Sequence, residues 1–86
     1  KENLSGLTGW ELINGQIQKT YLLKNFVQAM ELVNQIAMIA ENLQHHPDIN
    51  ISYSKVTFAL STHSENGITE KDFMLAKQIE QAVALI

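Results

Sequence analysis

Five side chains in this sequence are spaced as candidates to exchange protons or bind a cation together: Glu41, His45, His46, His63 and Asp72. The three histidines are the only ones in the chain. Imidazole titrates near neutrality, so a cluster of histidines with a carboxylate suits general acid–base catalysis. The same ligand types can hold zinc. Against zinc, His45 and His46 are adjacent, and Pro47 pushes His46 toward an extended backbone, where neighbouring side chains point apart. A third reading gives the pair no role beyond ending a helix, with His45 favoured by the negative helix C-terminus. Glu41 lies four residues before His45, which on a helix is the same face. Asp72 suits the N3 position of a capped helix, and Trp10 and Tyr53 read as packing residues. The chain has no nucleophile elbow, glycine-rich phosphate loop or dinucleotide fingerprint.

The elements that must position these groups follow from pattern. Asn14-Gly15 is a hairpin turn signal, because both residues tolerate positive φ. It predicts strands at 10–13 and 16–22, pairing Ile13 with Gln16, Leu12 with Ile17 and Trp10 with Lys19. From Lys24 to Leu43 the period becomes helical, with one stripe of Phe26, Met30, Val33, Ala37 and Ala40 and another of Leu32, Ile36, Ile39 and Leu43. This arc is wider than a helix on a small sheet needs. Either the helix is deeply packed at the centre, or its second face pairs with another subunit.

Apolar residues then alternate at Ile49, Ile51 and Tyr53, and again at Val56, Phe58 and Leu60. The phase flips across Ser54-Lys55, which predicts a turn there. That register sets Tyr53 against Val56, Ile51 against Phe58 and Ile49 against Leu60. Carried outward, it places His46 opposite His63, with Cβ atoms about 4.5–5.5 Å apart. Ser64 to Gly67 reads as a polar loop. Thr69-Glu70-Lys71-Asp72 has the form of a capping box, opening a helix that buries Phe73, Ala76, Ile79, Val83 and Ile86. The order strand–strand–helix–strand–strand–helix is an α+β plan: a four-stranded antiparallel sheet of two hairpins, with helices on one face.

Composition narrows the functions. Eighty-six residues predict a single domain, 1–86, which buries little surface and leans on association for stability. There is no cysteine, so disulfides and thiolate metal sites are excluded. The net charge is −3, and all six basic residues are lysine. Without arginine or a basic run, direct nucleic-acid binding is not expected. No apolar stretch approaches the ~20 residues that span a bilayer. Lys1 to Gly9 lacks the apolar run of a secretory signal, so the expected setting is cytoplasmic.

The run Glu41-Asn42-Leu43-Gln44-His45-His46-Pro47, then Tyr53, His63 and Asp72, resembles the signature of the pterin-4a-carbinolamine dehydratases. Gly9-Trp10, Lys24-Asn25-Phe26, Lys55-Val56, Leu60-Ser61-Thr62-His63 and Gly67-Ile68-Thr69-Glu70-Lys71-Asp72 are similar to the family too. The resemblance implies a four-stranded antiparallel sheet with two to three helices on one face, residues 1–8 being the remnant of an N-terminal helix. It implies dehydration of 4a-hydroxytetrahydrobiopterin to quinonoid dihydropterin, which recycles the pterin of aromatic amino acid hydroxylases. The pterin is then the substrate, and no metal or organic cofactor is needed. By resemblance, His45 and His63 are acids at the leaving hydroxyl, and His46 holds the ring and accepts a proton. Glu41 and Asp72 orient imidazoles, while Trp10, Pro47, Ser61 and Thr62 contact the substrate. Homodimers or homotetramers through helix 24–43 and a sheet edge are implied as well. The family also offers a different reading, a non-catalytic dimerisation or coactivator module, since animal members serve a homeodomain transcription factor. Many relatives carry a tryptophan and an aromatic where this chain has Ile49 and Asn50, so the stacking surface for the pterin differs.

Overall fold

Asn14 and Gly15 both take positive φ, 51° and 78°, as the hairpin signal requires. They join β1 (Glu11–Ile13) to β2 (Gln16–Leu22) with Ile13 opposite Gln16 and Leu12 opposite Ile17. The ladder stops at Glu11–Gln18, leaving Trp10 just outside the strand rather than paired with Lys19. The structure is a computed structural model describing residues 9–62 and 67–86. The expected N-terminal helix remnant, His63 and most of the expected polar loop fall outside the described residues.

Helix α1 (Phe26–Leu43) is capped by Asn25, whose side chain accepts the Gln28 amide. It leads to β3 (Asp48–Ser52), β4 (Lys55–Leu60) and α2 (Glu70–Ala84). The sheet order is β1-β2-β4-β3, antiparallel throughout. Ile17, Tyr21, Val56, Phe58 and Leu60 share one core with Leu32, Ile36, Leu75 and Ile79, so both helices cover the same face. The α+β architecture predicted from the pattern is the one observed. No helix among the described residues is long and apolar enough to cross a membrane.

Three details differ from the sequence reading. The β3–β4 turn is Tyr53-Ser54, and the register is shifted by two: Ile51 faces Val56 and Ile49 faces Phe58. A two-residue slip leaves every side chain on its original face, so apolar alternation cannot distinguish the two registers. Tyr53 is therefore not a packing partner of Val56. It occupies the turn at φ 57° and is 84% exposed. Carried outward, the observed register sets His46 toward Ser61; His63, its expected partner, lies outside the described residues.

Second, α1 buries one stripe, Ala29, Leu32, Ile36 and Ala40. Phe26, Val27 and Met38 stay exposed, which rules out deep central packing within this chain. Third, the buried face of α2 is Asp72, Leu75, Ala76, Ile79 and Ala82. Phe73 and Val83 are half-buried and Ile86 is exposed, so the stripe is rotated by about one residue from the expected one.

Candidate active site

The end of α1 determines where the histidines go. Gln44 leaves the helix in the left-handed region at φ 55°, an uncommon conformation for a residue with a Cβ. Two bonds hold it there. The His45 amide reaches back to the Ala40 carbonyl at 3.0 Å, and the Gln44 side chain donates to the Glu41 carbonyl at 2.9 Å. This reversal swings His45 off the helical face it would share with Glu41. Glu41 instead meets His46, with Oε1 2.7 Å from Nε2. Both members of that pair are largely exposed, so it contributes little to stability.

His45 turns inward to α2. Its Nε2 lies 2.6 Å from Asp72 Oδ1; the histidine side chain is 11% exposed and the aspartate completely buried. Asp72 is held by the start of its own helix. Thr69 is the N-cap, and Asp72 completes the capping box by accepting the Thr69 amide at 2.9 Å. The Thr62 hydroxyl donates to the same oxygen at 2.8 Å. Thr62 follows β4 and is pinned through its backbone to Gly67. The residue that the pattern offered as a simple cap thus also holds His45.

Two adjoining hollows open beside this pair. Leu43, His45, Lys71 and Met74 line one of about 80 Å³; Thr62, Thr69, Glu70 and Lys71 line a wider one of about 450 Å³. Lys71 stands on both. Lys71 and Met74 carried no signal of their own in the sequence, and Thr69 carried only that of a helix cap, until the fold sets them beside His45.

The other expected site residues are dispersed. Pro47 is half-buried between His46 and β3, and Ser61 is half-buried after β4. Trp10 is buried against Tyr21, and its indole N–H donates to Glu80 at 3.0 Å. Glu80 lies eight residues beyond Asp72, about 12 Å along α2. Trp10 is therefore not brought to the histidine pair. Among the described residues, no group of three or more His, Asp or Glu is placed to hold a metal ion. That statement covers Glu41, His45, His46 and Asp72 but not His63.

Glu80 anchors a second cluster, which the sequence reading did not contain. Its Oε2 accepts from Trp10, from Tyr21 and from Lys19, whose Nζ is 2.6 Å away. Burial pushes the Glu80 carboxyl upward, but these hydrogen bonds and the lysine charge outweigh it and hold the group below its ordinary value. Burial, and then the bond to Glu80, push the Tyr21 hydroxyl well above the usual tyrosine range.

The sequence matches the model of the pterin 4 alpha carbinolamine dehydratase family over residues 1–82. The chain belongs to this family. A Herpetosiphon aurantiacus protein, provisionally named a pterin-4-alpha-carbinolamine dehydratase, is 54% identical over 84 residues, covering 98% of this chain and 88% of its own. A Sulfolobus acidocaldarius protein with the same provisional name is 46% identical, covering 94% and 89%. Among solved structures, a transcriptional coactivator/pterin dehydratase from Brucella melitensis superposes with a TM-score of 0.91 at 36% identity, covering 94% of this chain and 88% of that one. A pterin dehydratase-like protein described as a RuBisCO assembly factor of the α-carboxysome shares the fold at a TM-score of 0.70 and 16% identity, over 85% and 84% of the two chains.

Proposed function

We propose that this family member dehydrates pterin-4a-carbinolamine by histidine acid–base chemistry, with His45, His46 and His63 as the proton-transfer groups. The observation that carries the reading is His45, held by the buried Asp72 at 2.6 Å and lining a cleft, in a chain of this family. The reaction moves protons and no electrons. A proton added to the 4a hydroxyl lets it leave as water while nitrogen-5 supplies the electron pair that closes the C–N double bond. A second group takes a proton from the pterin, so no net proton is consumed, and exchange with solvent returns both groups to their starting states. Each well-placed proton-transfer group contributes about 10²–10⁴-fold. In this reading His45 and His63 serve the hydroxyl and His46 the ring. Asp72 and Glu41 orient His45 and His46 in turn. Pro47, Ser61 and Thr62 are in this reading the substrate contacts, whereas Trp10 supports the fold at a distance. The substrate itself is the pterin, and recycling of a hydroxylase cofactor is the role this chemistry serves.

The exposed Phe26, Val27 and Met38 on α1 favour association of the chain with copies of itself through that face, with the free sheet edges as the other candidate contact. The test of the function is stopped-flow dehydration of carbinolamine generated in situ, with each histidine replaced singly by alanine. The wild-type chain is expected to accelerate the loss of carbinolamine, and each replacement to slow it. No acceleration at catalytic protein levels would overturn the reading and favour a non-catalytic dimerisation or coactivator module, for which the α1 face is the suited surface.

A further inference from the structure

The two oxygens of Asp72 keep different company. Oδ2 accepts the Thr62 hydroxyl and the Thr69 amide, at 2.8 and 2.9 Å; among the described residues Oδ1 meets only His45 Nε2. A threonine hydroxyl has one proton, and an ionised carboxylate has none to give. The Thr62 proton must therefore point at Asp72. The 2.7 Å contact between the Thr62 and Thr69 hydroxyls is then donated by Thr69. Having used its proton, Thr69 accepts the Lys71 amide at 3.3 Å. The bonds run one way, from the Lys71 amide through Thr69 and Thr62 to Asp72, and aligned bonds of this kind strengthen one another.

The Thr62 hydroxyl and the Thr69 amide hold Oδ2, which turns Oδ1 to His45. Oδ1 can only accept, so the nitrogen facing it, Nε2, carries the proton. The free lone pair of neutral His45 is then on Nδ1. That atom has no hydrogen-bond partner among the described residues, and none of their buried side-chain nitrogens or oxygens lacks one, which leaves Nδ1 open to solvent. We infer that Thr62 and Thr69 are positioning residues of a one-way relay that, through Asp72, holds neutral His45 as the Nε2–H tautomer and makes Nδ1 the atom that takes up a proton and passes it to the substrate. Only the last step rests on the proposed dehydratase function. The relay gives Thr62 work other than direct substrate contact, since its one proton is already committed.

The direct test is the nitrogen spectrum of the full chain labelled with ¹⁵N-histidine, without substrate and at a pH alkaline enough for the imidazole to be neutral, with His45 assigned by loss of its signals in His45→Gln. The expected pattern is a protonated Nε2 and a bare Nδ1. The reverse pattern in the wild-type protein would overturn the inference, and this measurement needs no variant of the relay to fold. Thr62→Val should move His45 toward a mixture of tautomers and lower kcat about tenfold or more with little change in KM, and Thr62→Ser should restore both. An unchanged spectrum and rate in Thr62→Val would count equally against it. A wild-type chain with the expected tautomer but no dehydratase activity would uphold the relay and remove the proposed function.

Discussion

Replacing Asp72 separates its structural work from its chemical work, and the size of the effect can be estimated bond by bond. In Asp72→Ala the Thr69 amide loses its capping partner, which costs about 1 kcal/mol. The nearly buried His45 loses a charge-assisted bond, which costs about 1.5–3 kcal/mol. The Thr62 hydroxyl is buried, and stranding it would cost about 1–3 kcal/mol. It can swing to the Thr69 oxygen 2.7 Å away, so the lower end of that range applies. The total is about 4 kcal/mol, within the ~3–5 kcal/mol typical when one partner of a buried pair is removed. Asparagine at the same place keeps one oxygen for Thr62 and Thr69 but turns an amide N–H₂ toward His45. Asp72→Asn should therefore cost only about 1–2 kcal/mol. It should also force His45 to accept at Nε2 and carry its proton on Nδ1, with a loss of activity far larger than the loss of stability. The assay is urea unfolding followed by circular dichroism at one fixed protein concentration, because an associating chain gains stability by mass action. An alanine variant within about 1 kcal/mol of wild type, or an asparagine variant as unstable as alanine, would refute the bond-by-bond account.

Glu80 gives the pH dependence. Its folded-state value lies below the ordinary 4.5, so its contribution is complete above that value and fades as pH falls through the lowered one. Glu80→Gln should lose about 1 kcal/mol at neutral pH, a modest figure because the side chain is about one-third exposed. The gap from wild type should narrow in acid, as urea titrations at about pH 7 and pH 3 would show. Gly9 sits at φ +90°, and a Cβ there would stand 2.8 Å from Lys19 Cε, so Gly9→Ala should cost about 1–2 kcal/mol. Its cost should be partly shared with that of Glu80→Gln in the double variant, because both disturb Lys19. A charge on the outer face of α1, as in Val27→Lys or Met38→Lys, should shift sedimentation toward the monomer while leaving the helical signal intact.

What could be read from the sequence was what short-range chemistry dictates. Asn14-Gly15 gave its hairpin and register because turn type and strand twist are coupled over four residues. Thr69 and Asp72 gave the start of α2 because a capping box is local. The β3–β4 register was not legible, because alternation repeats every two residues and only the turn could choose between registers. That turn uses Tyr53 at positive φ, a residue that gives no turn signal. Glu41 was matched to His45 by helical spacing, but Gln44 ends the helix one residue too early for that spacing to apply. The contact between His45 and Asp72 spans 27 positions, and no periodicity relates them. The capping role of Asp72 was visible for the same reason that its second role was not.

Two of the three carboxylates of α2, Asp72 and Glu80, explain why a small domain can hold a polar site at all. Asp72 ties the helix to the end of α1 and the segment after β4, and Glu80, about 12 Å further along, ties it to β2 and Trp10. Glu80 accepts three bonds from groups distant in sequence and Asp72 two, from His45 and Thr62, beside the Thr69 amide of its own cap, so the helix is located at two points rather than by apolar packing alone. A helix fastened only at Glu80 could roll on its apolar face, where Ala76 and Ala82 present little relief beside Leu75 and Ile79. Fastened at both ends, it fixes Asp72 to within the tolerance of a 2.6 Å hydrogen bond, and a proton-transfer group needs about that tolerance from whatever orients it. The second clamp therefore belongs to the architecture of the site although none of its atoms is near the histidines. Losing it should loosen His45 before it unfolds the chain.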